Sequence, residues 1–439
     1  MDFPGFLRRN LSAKSAAPAA DPRALRGDGD ALASSAVNFL TKTGLFDREY
    51  YLAAYPDVAK SGMDPLHHFM RVGIQAGRSF TSVENIARLW RQVLTEAASE
   101  PVAKEPKDAS RLHAVIYVMR GGNFFMREIA GILLAGFADA GVAASICHEN
   151  GDPDPGATHH IVIAPQEFFL LGEGRRFGTD AFISRAVLIS TEQIQTPWFA
   201  RSLVFMLRAR AVAEINGQNA EIFRRAGVRA VTVQPGYTAR YPAFGPQQKV
   251  DEFSAFAGLG RQVRDFDVNS PRLADRPIDL LFLGTSTSRR EKLLAGYAPK
   301  FAGLNSFIYC LKTNKPIEQG SNPMAAPEVT AALLQRSRIL LNLHRDEYTF
   351  FEWWRVMQAF WQKTLVVSEP SFPHPVFRAG VHYLEEAPRH IPHLVEWLLR
   401  SAEGQAKAEE VRARAFQDFC ARATARMAAL TLLEAGSAA

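Results

Sequence analysis

The chain of 439 residues is too long for one small core, and at about 100–200 residues per domain it should contain two or three domains. Hydrophobic residues make up 47% of it and charged residues 22%, which excludes collagen, a wholly disordered chain and a disulfide scaffold. The formal net charge is +6, and Arg supplies most of the 51 basic residues without forming a basic run, so a phosphate held in a pocket is favoured and no nucleic-acid partner is expected.

The three cysteines, Cys147, Cys310 and Cys420, are far apart in the sequence. Their spacing supports neither a metal site nor a disulfide framework, so a cytoplasmic, reducing location is predicted. The longest apolar run, residues 129–138, is well short of the roughly 20 residues that a membrane-spanning helix needs. At most, the chain attaches to a membrane peripherally, through apolar and basic residues near its N-terminus.

Five units are predicted in chain order. Helix caps at Asp47 and Asp64 indicate an all-helical module after a mostly disordered tail. Polar, Pro- and Gly-containing linkers then delimit two α/β domains, and an Ala-, Glu- and Arg-rich segment forms a C-terminal helix. The units are the tail (1–44), the helical module (45–96), the first α/β domain (111–236), the second α/β domain (276–400) and the C-terminal helix (401–439).

Short apolar runs that are bounded by Gly or Pro and separated by helices predict a parallel sheet in each α/β domain. The fold class is therefore α/β, with two doubly wound Rossmann-like domains preceded by a small all-helical module, and the final helices are expected to pack back across the first domain. Ligands of such sheets bind at the carboxyl ends of the strands. Strands are predicted at 113–119, 142–148, 159–164, 185–190 and 228–235, and at 278–284, 305–311, 338–343 and 364–369.

The first candidate binding segment is residues 281–294. A strand ends there in a turn with small hydroxyl side chains, and a helix with three basic residues follows. Free backbone N–H groups at a helix start attract an anion, and Arg or Lys side chains neutralise it. The candidate phosphate-binding residues are Gly284, Thr285, Ser286, Arg289 and Lys292.

The second candidate segment is residues 338–370. A buried strand leads into a polar loop, a helix follows with polar residues one turn apart, and the next strand ends at the same sheet edge. So many polar groups at consecutive strand ends exceed what the fold alone requires. The candidate residues are Asn342, His344, Arg345, Asp346, Glu347, Glu352, Arg355, Gln358, Ser368 and Glu369.

Residues 45–80 contain the series Phe-Asp, Tyr-Tyr-Leu, Pro-Asp-Val, Pro-Leu and Gly-Arg. This series resembles a short helical module found beside bacterial glycosyltransferases, and only one copy is present. The resemblance implies a possible protein partner for the module and assigns it no chemistry.

The two α/β segments resemble the GT-B-fold, group-one bacterial glycosyltransferases used on polysaccharides and related glycans. The resemblance implies a nucleotide-sugar donor, UDP- or GDP-linked, and a glycan, lipid-linked or protein acceptor, with no separate cofactor and no metal. It places Gly284, Thr285, Ser286, Arg289 and Lys292 at the donor diphosphate, with Arg289 and Lys292 in a catalytic role. Residues 190–237 resemble the end of the partner domain.

One departure from the family pattern concerns two acids that group-one enzymes commonly place eight residues apart. Gln358 stands at the second acid position and Phe350 at the first. A Gln amide can still donate to and accept from a hydroxyl, and Glu352 or Glu347 can replace the first acid. The departure leaves the donor sugar and the retaining or inverting mechanism open.

The acceptor side is predicted in the first α/β domain. Gly121, Gly122 and Asn123 form a turn that lets a ligand approach closely, and Gln193 follows a later strand. An inverting enzyme needs a base for the acceptor hydroxyl, and Glu192 and Glu167 are the candidates. A retaining enzyme needs no protein base, because the leaving diphosphate can take the proton. His159 and His160 begin a strand and are expected to be structural or exposed.

Two alternatives to a glycosyltransferase stay open. One is a noncatalytic scaffold that keeps the fold and recruits partners through the helical module. The other is a nucleotide-sugar epimerase built on the same two-domain plan. The departure at Gln358 favours the scaffold, whereas the retained arginines favour an enzyme.

Overall fold

The computed structural model describes residues 29–94, 104–106, 108–313, 317–318 and 320–437. The first 28 residues of the predicted tail and most of the predicted linker before residue 111 lie outside the described residues. Within the described ranges, no helix has both the length and the hydrophobicity that crossing a membrane requires.

The helical module begins earlier than its sequence pattern predicted. A helix runs from Gly29 to Thr43, inside the segment assigned to the tail, because Ala36, Phe39 and Leu40 form an apolar stripe that becomes buried. The side chains of Asp47 and Asp64 cap the helices that follow them, as predicted. The helices are α1 (Gly29–Thr43), α2 (Arg48–Ala54), α3 (Pro56–Ser61), α4 (Pro65–His68, continued by a π turn over Phe69–Gly73) and α5 (Val83–Leu94).

The first sheet has six parallel strands in the order β2-β1-β3-β4-β5-β6. Its fifth strand was not predicted, because it is only four residues long and begins soon after a helix that ends at Met206. The strands are β1 (His113–Tyr117), β2 (Ala143–Cys147), β3 (His159–Ile163), β4 (Ala186–Ser190), β5 (Ala211–Glu214) and β6 (Ala230–Thr232). The helices are α6 (Phe124–Asp139), α7 (Pro165–Phe168), α8 (Asp180–Ile183), α9 (Pro197–Met206) and α10 (Gly217–Arg225).

The second sheet has five parallel strands in the order β11-β10-β9-β7-β8. With both sheets parallel and flanked by helices, the predicted α/β fold class is confirmed. The strands are β7 (Ile278–Thr285), β8 (Ser306–Leu311), β9 (Ser337–Asn342), β10 (Leu365–Ser368) and β11 (Leu384–Glu385). The helices are α11 (Arg261–Arg264), α12 (Ser288–Phe301), α13 (Pro327–Gln335), α14 (Trp353–Trp361), α15 (Ile391–Arg400), α16 (Ala402–Arg422) and α17 (Ala425–Gly436).

The C-terminal segment is two helices, whereas the sequence pattern predicted one. The chain becomes extended at Ala423 and Thr424, and the Thr424 side chain accepts from the Met427 N–H to cap α17. The last helix packs on α6 of the first sheet, as expected for helices that return across the first domain. Gly136 of α6 lies at the closest approach, where an added Cβ would overlap the carbonyl oxygen of Ala425.

We expect Gly136→Ala to destabilise the protein by about 1–3 kcal/mol, because the new methyl group cannot be accommodated without separating α6 from α17. The matched control is Gly296→Ala on α12, where an added Cβ meets no atom within 4 Å and the expected change is a stabilisation of about 0.5–1 kcal/mol. Thermal unfolding of both variants measures the difference. Equal melting temperatures for the two variants would contradict the close packing of α17 on α6.

Candidate active site

A cleft of about 140 Å³ lies between the carboxyl edges of the two sheets. Residues that follow β4 and β5 line one wall. Residues 350–354, at the start of α14, and residues 372–375, after β10, line the other. Each wall thus comes from the edge at which parallel sheets bind ligands.

Two guanidinium groups meet over the end of β7. Arg290 comes from the first turn of α12, and Arg355 comes from the first turn of α14. An added Cβ at Gly284 would lie 3.2 Å from Arg290 Nη1 and 3.4 Å from Arg355 Nη2. The missing side chain at Gly284 therefore provides the space in which the two arginines converge.

The Arg290 guanidinium is held by backbone carbonyl groups, and Glu352 and Asp346 act on its charge from a distance. Arg290 is 2% exposed and donates to the Leu343 carbonyl at 3.1 and 2.8 Å and to the Thr285 carbonyl at 3.0 Å. Burial, reinforced by the charge of Arg355, lowers the pKa of Arg290 to about 9. Across the described ranges, neither arginine forms an ion pair with a carboxylate. An anion such as a phosphate would provide the missing charge.

Arg289, which the family resemblance places at the diphosphate, is instead held by the protein's own carboxylates. Its Nη1 and Nη2 donate to the two oxygens of Glu369 at 2.9 and 2.6 Å, and its Nε donates to Glu347 at 3.2 Å. The bond to Glu369 is the main reason that the pKa of Arg289 is raised. Lys292 is exposed, two residues beyond buried Arg290 and therefore on the opposite side of α12. Arg290 thus meets the end of β7, whereas Arg289 is held by residues just after β9 and β10 and Lys292 is exposed.

The hydroxyl groups of the strand-end turn are used within the turn. Thr285 Oγ1 accepts from Arg290 Nη1 at 3.2 Å, and Ser286 Oγ donates to Glu291. Thr287, which the sequence did not single out, caps α12 and donates to the Arg345 carbonyl at 2.9 Å. This last bond ties the start of α12 to the polar loop after β9.

Buried polar groups at the ends of β9 and β10 hold Arg289 and Arg355 in place. Asn342 Oδ1 accepts from Arg355 Nη1 at 2.7 Å, and its Nδ2 donates to Ser368 Oγ at 2.9 Å. The His344 backbone N–H donates to Glu369 at 2.7 Å. All four supporting residues are at most 1% exposed, so they fix the positions of the arginines and do not open onto the cleft.

Of the remaining residues predicted on the donor side, Glu352 lines the cleft. Asp346 is half-buried and accepts from the Tyr348 N–H at 3.0 Å, and burial raises the pKa of Asp346. Gln358 lies one turn after Arg355 on α14 and is 9% exposed. Its side chain makes no hydrogen bond to any described residue.

On the opposite wall, Glu167 is buried beside the turn after β1. It accepts from the Asn123 backbone N–H at 3.0 Å and from Asn123 Nδ2 at 2.5 Å. Gly122 allows this approach, because a Cβ there would overlap Glu167 Oε2, whereas Gly121 is exposed and uncrowded. Burial raises the pKa of Glu167. Ala164, with φ of 52°, turns the chain from β3 into the short helix that carries Glu167.

Glu192 follows β4 and lines the cleft. Thr196 Oγ1 donates to its Oε2 at 3.2 Å, and Gln166 Nε2 lies 3.4 Å from its Oε1. Burial and the nearby charge of Glu167 raise the pKa of Glu192 to about 7, although Arg345 on the facing wall lowers it. A carboxyl group with this pKa can exchange a proton near neutral pH.

Two further groups at this edge were missed by sequence reasoning. Glu214 ends β5 and Ser190 ends β4, side by side in the strand register, and both line the cleft. Glu214 is 1% exposed, and burial raises its pKa to about 8. The signal was concealed because β5 itself was not predicted; a recognised strand would have placed Glu214 at its carboxyl end.

The other predicted residues have structural contacts. Gln193 lines the cleft and accepts from Gln195 Nε2 at 2.9 Å. His159 and His160 are buried, with ring nitrogens 3.2 Å from the Leu433 carbonyl and 3.0 Å from the Tyr117 hydroxyl, in agreement with their predicted structural role. In the part of the chain that the structure describes, no group of three or more His, Cys, Asp or Glu residues is arranged to hold a metal ion.

No protein-family model matches the chain, and no curated protein matches it. Solved structures similar to it include a point mutant of S. aureus TarM in complex with fondaparinux, alpha-GlcNAc-glycerol and UDP, Anabaena Alr3699/HepE with UDP-glucose, and a glycosyltransferase from Rickettsia africae. Each of these is 11% identical to the chain, with a TM-score of 0.41. The match to HepE covers 74% of this chain and 98% of HepE, and the match to the Rickettsia protein covers 74% of this chain and 97% of that protein. The match to TarM covers 64% of this chain and 55% of TarM. The chain thus spans about half the length of TarM.

Glu192→Gln is expected to stabilise the protein at pH 8 by about 1–3 kcal/mol and to have little effect at pH 5. A carboxyl group whose pKa is raised from 4.5 to about 7 on folding stabilises the folded state below pH 4.5 and loses that contribution as the pH rises through 7. The melting temperatures of variant and wild type across pH 5–8 test this. The exposed control Glu173→Gln should show a constant difference, and a constant difference for Glu192→Gln would disprove the raised pKa.

Proposed function

We propose that the protein is a glycosyltransferase that moves a sugar from a nucleoside-diphosphate donor to a glycan, lipid-linked or protein acceptor. The observation that supports this most directly is the pair Arg290 and Arg355, which lies at a strand end without a carboxylate partner in the described ranges. Glu192, with a pKa raised to about 7, lines the cleft between the two sheets.

The donor diphosphate would lie over Gly284, between the guanidinium groups of Arg290 and Arg355. The start of α12 is close by, and its free backbone N–H groups favour an anion there. Arg345 adds positive charge from the loop after β9, and Glu352 is the nearest predicted acid for hydroxyls of the donor sugar. UDP and GDP share the diphosphate group that this site would recognise.

In the proposed reaction, Glu192 accepts the proton of the acceptor hydroxyl. The acceptor oxygen bonds to the anomeric carbon of the donor sugar, the bond from that carbon to the diphosphate oxygen breaks, and the diphosphate leaves with the electron pair. Arg290 and Arg355 stabilise the charge that develops on the leaving group. This assignment corresponds to an inverting enzyme acting in the cytoplasm.

We expect UDP, GDP or both to raise the melting temperature by several degrees at saturating concentration, because they bind the folded state alone. Arg355→Ala should weaken this binding about tenfold or more by removing a charge-assisted contact, whereas Arg355→Lys should retain part of it. Lys292→Ala is the matched control, since Lys292 is exposed on the other side of α12. Absence of any shift with either nucleotide would refute the diphosphate site.

Glu192→Gln should lower kcat about 100-fold or more while leaving the nucleotide Kd unchanged, because the amide cannot accept the proton. In the wild type, activity should increase with pH through about 7 as Glu192 ionises. Transfer or hydrolysis across a panel of UDP- and GDP-linked sugars, with and without extracted glycan, is the measurement.

Full activity in Glu192→Gln would contradict the base assignment, and interconversion of donor sugars without transfer would identify an epimerase. Nucleotide binding without any turnover would identify a noncatalytic scaffold.

A further inference from the structure

Trp90 connects the helical module to both walls of the cleft. It lies on α5 and is fully buried. Its ring meets Phe350 and Phe372 of the second domain edge-on, at centroid distances of 4.7 and 4.6 Å. Its Nε1 donates to Asn219 Oδ1 of the first domain at 3.2 Å. The module therefore forms part of the wall behind the cleft.

The bond from Trp90 determines which way the Asn219 amide points. An indole N–H is only a donor, so it selects the amide oxygen of Asn219. The amide nitrogen then faces Glu214, with Nδ2 3.5 Å from Glu214 Oε2. Trp90, Asn219 and Glu214 thus form a chain that begins in the helical module and ends at the cleft.

The cleft end of this chain has unused hydrogen-bonding capacity. Among the described residues, no hydrogen bond of good geometry meets Glu214 Oε1 or Ser190 Oγ, although Glu214 is 1% and Ser190 2% exposed. The two side chains lie near each other, and the Ser190 hydroxyl opposes the effect of burial on the pKa of Glu214. Buried polar atoms of this kind are normally satisfied by protein, water or ligand. The two atoms belong to neighbouring residues of adjacent strands, so one ligand can reach both.

Aromatic side chains also line the cleft. Phe125, Phe351 and Trp354 are partly exposed and line it together with Glu214 and Ser190. A few polar groups set among apolar faces suit a ligand whose ring has apolar faces and whose edges carry hydroxyls. A sugar ring has this chemistry.

We propose that Glu214 and Ser190 form a binding subsite for sugar hydroxyls, and that Trp90 is a positioning residue that orients Glu214 through Asn219. The proposal rests on the proposed function only in placing the subsite beside the site of transfer. It also changes the meaning of the helical module: Trp90 is fully buried, so this residue supports the cleft and is not available to recruit a partner.

Glu214→Met is the primary test, because it removes both carboxyl oxygens and keeps a side chain of similar length. The affinities of UDP, UDP-glucose, UDP-N-acetylglucosamine and GDP-mannose are measured by calorimetry, and those of free glucose, mannose and N-acetylglucosamine by tryptophan fluorescence with UDP present. Glu214→Met and Ser190→Ala should each weaken the sugar-dependent part of binding fivefold or more and leave UDP and GDP within twofold. Glu214→Gln should retain binding at pH 7, because an amide can also donate to and accept from a hydroxyl.

The two arms of this experiment identify which sugar occupies the subsite. A loss confined to the nucleotide sugars identifies the donor ring, and a loss confined to the free sugars identifies the acceptor; either supports the subsite. Sugar affinities that stay within twofold in both Glu214→Met and Ser190→Ala would overturn it. If free sugars bind in a Glu214-dependent way while no nucleotide binds, the subsite holds and the proposed donor site fails.

Trp90→Phe tests the positioning role, since it keeps an aromatic ring and removes only the N–H donor and part of the ring. We expect a twofold to fivefold loss of sugar affinity with nucleotide affinity unchanged, and no further loss when Trp90→Phe is added to Glu214→Met. A purely structural role would lower the melting temperature and reduce the affinities for nucleotide and sugar alike. An undiminished effect of Trp90→Phe in the Glu214→Met background would also refute the chain through Asn219.

Discussion

The arrangement of the cleft depends on two places where the chain crosses between the sheets and hydrogen-bonds to itself. The Tyr237 N–H donates to the Ala423 carbonyl at 2.9 Å, and the Ala425 N–H donates to the Tyr237 carbonyl at 2.9 Å. Gly236 is required at this contact, because a Cβ would overlap the carbonyl of Ala423. Trp353, at the start of α14, donates to the Pro235 carbonyl at 2.9 Å, so the crossing is also tied to the helix that carries Arg355. These bonds help to hold the carboxyl edges of the two sheets facing each other.

With the edges fixed, the charges are divided between the two walls. Unneutralised arginines lie on the second sheet, and carboxyl groups with raised pKa values lie on the first, at Glu167, Glu192 and Glu214. Burying either set is unfavourable by itself, because a charge removed from water must be compensated. The protein compensates Arg290 with backbone carbonyls and Glu167 with an amide, and in neither case with an opposite charge. A protein selected only for stability would be expected to pair the two sets, and the described residues keep them apart.

The sequence predicted most of the fold, because parallel strands buried on both sides are continuous apolar runs that need no tertiary information to recognise. The strand β5 was not predicted, because its four residues are too few to distinguish from the preceding helix. The helix α1 was not predicted, because its short apolar stripe is explained only by its packing on the helices of the first domain. For the site, the predicted segments lie at strand ends, and of the three basic residues on α12 the sequence did not single out Arg290, which is the one beside Gly284. Arg289 is held by Glu347, in the loop after β9, and by Glu369, directly after β10. Both carboxylates are distant from α12 in the sequence, so a local motif does not reveal these contacts.

The helical module was predicted to have a possible protein partner because its sequence resembles a module found beside glycosyltransferases. Its local sequence specifies caps and an apolar face, and an apolar face can be covered by another protein or by the rest of the chain. Here the chain covers it: Tyr348 of the second domain donates to the Thr81 carbonyl at 2.8 Å, and Arg201 of the first domain donates to the Ile74 carbonyl at 3.2 Å. A module joined to both walls resists any change in their separation, since moving either wall would break buried contacts around Trp90. Its physical effect is therefore on the geometry of the cleft.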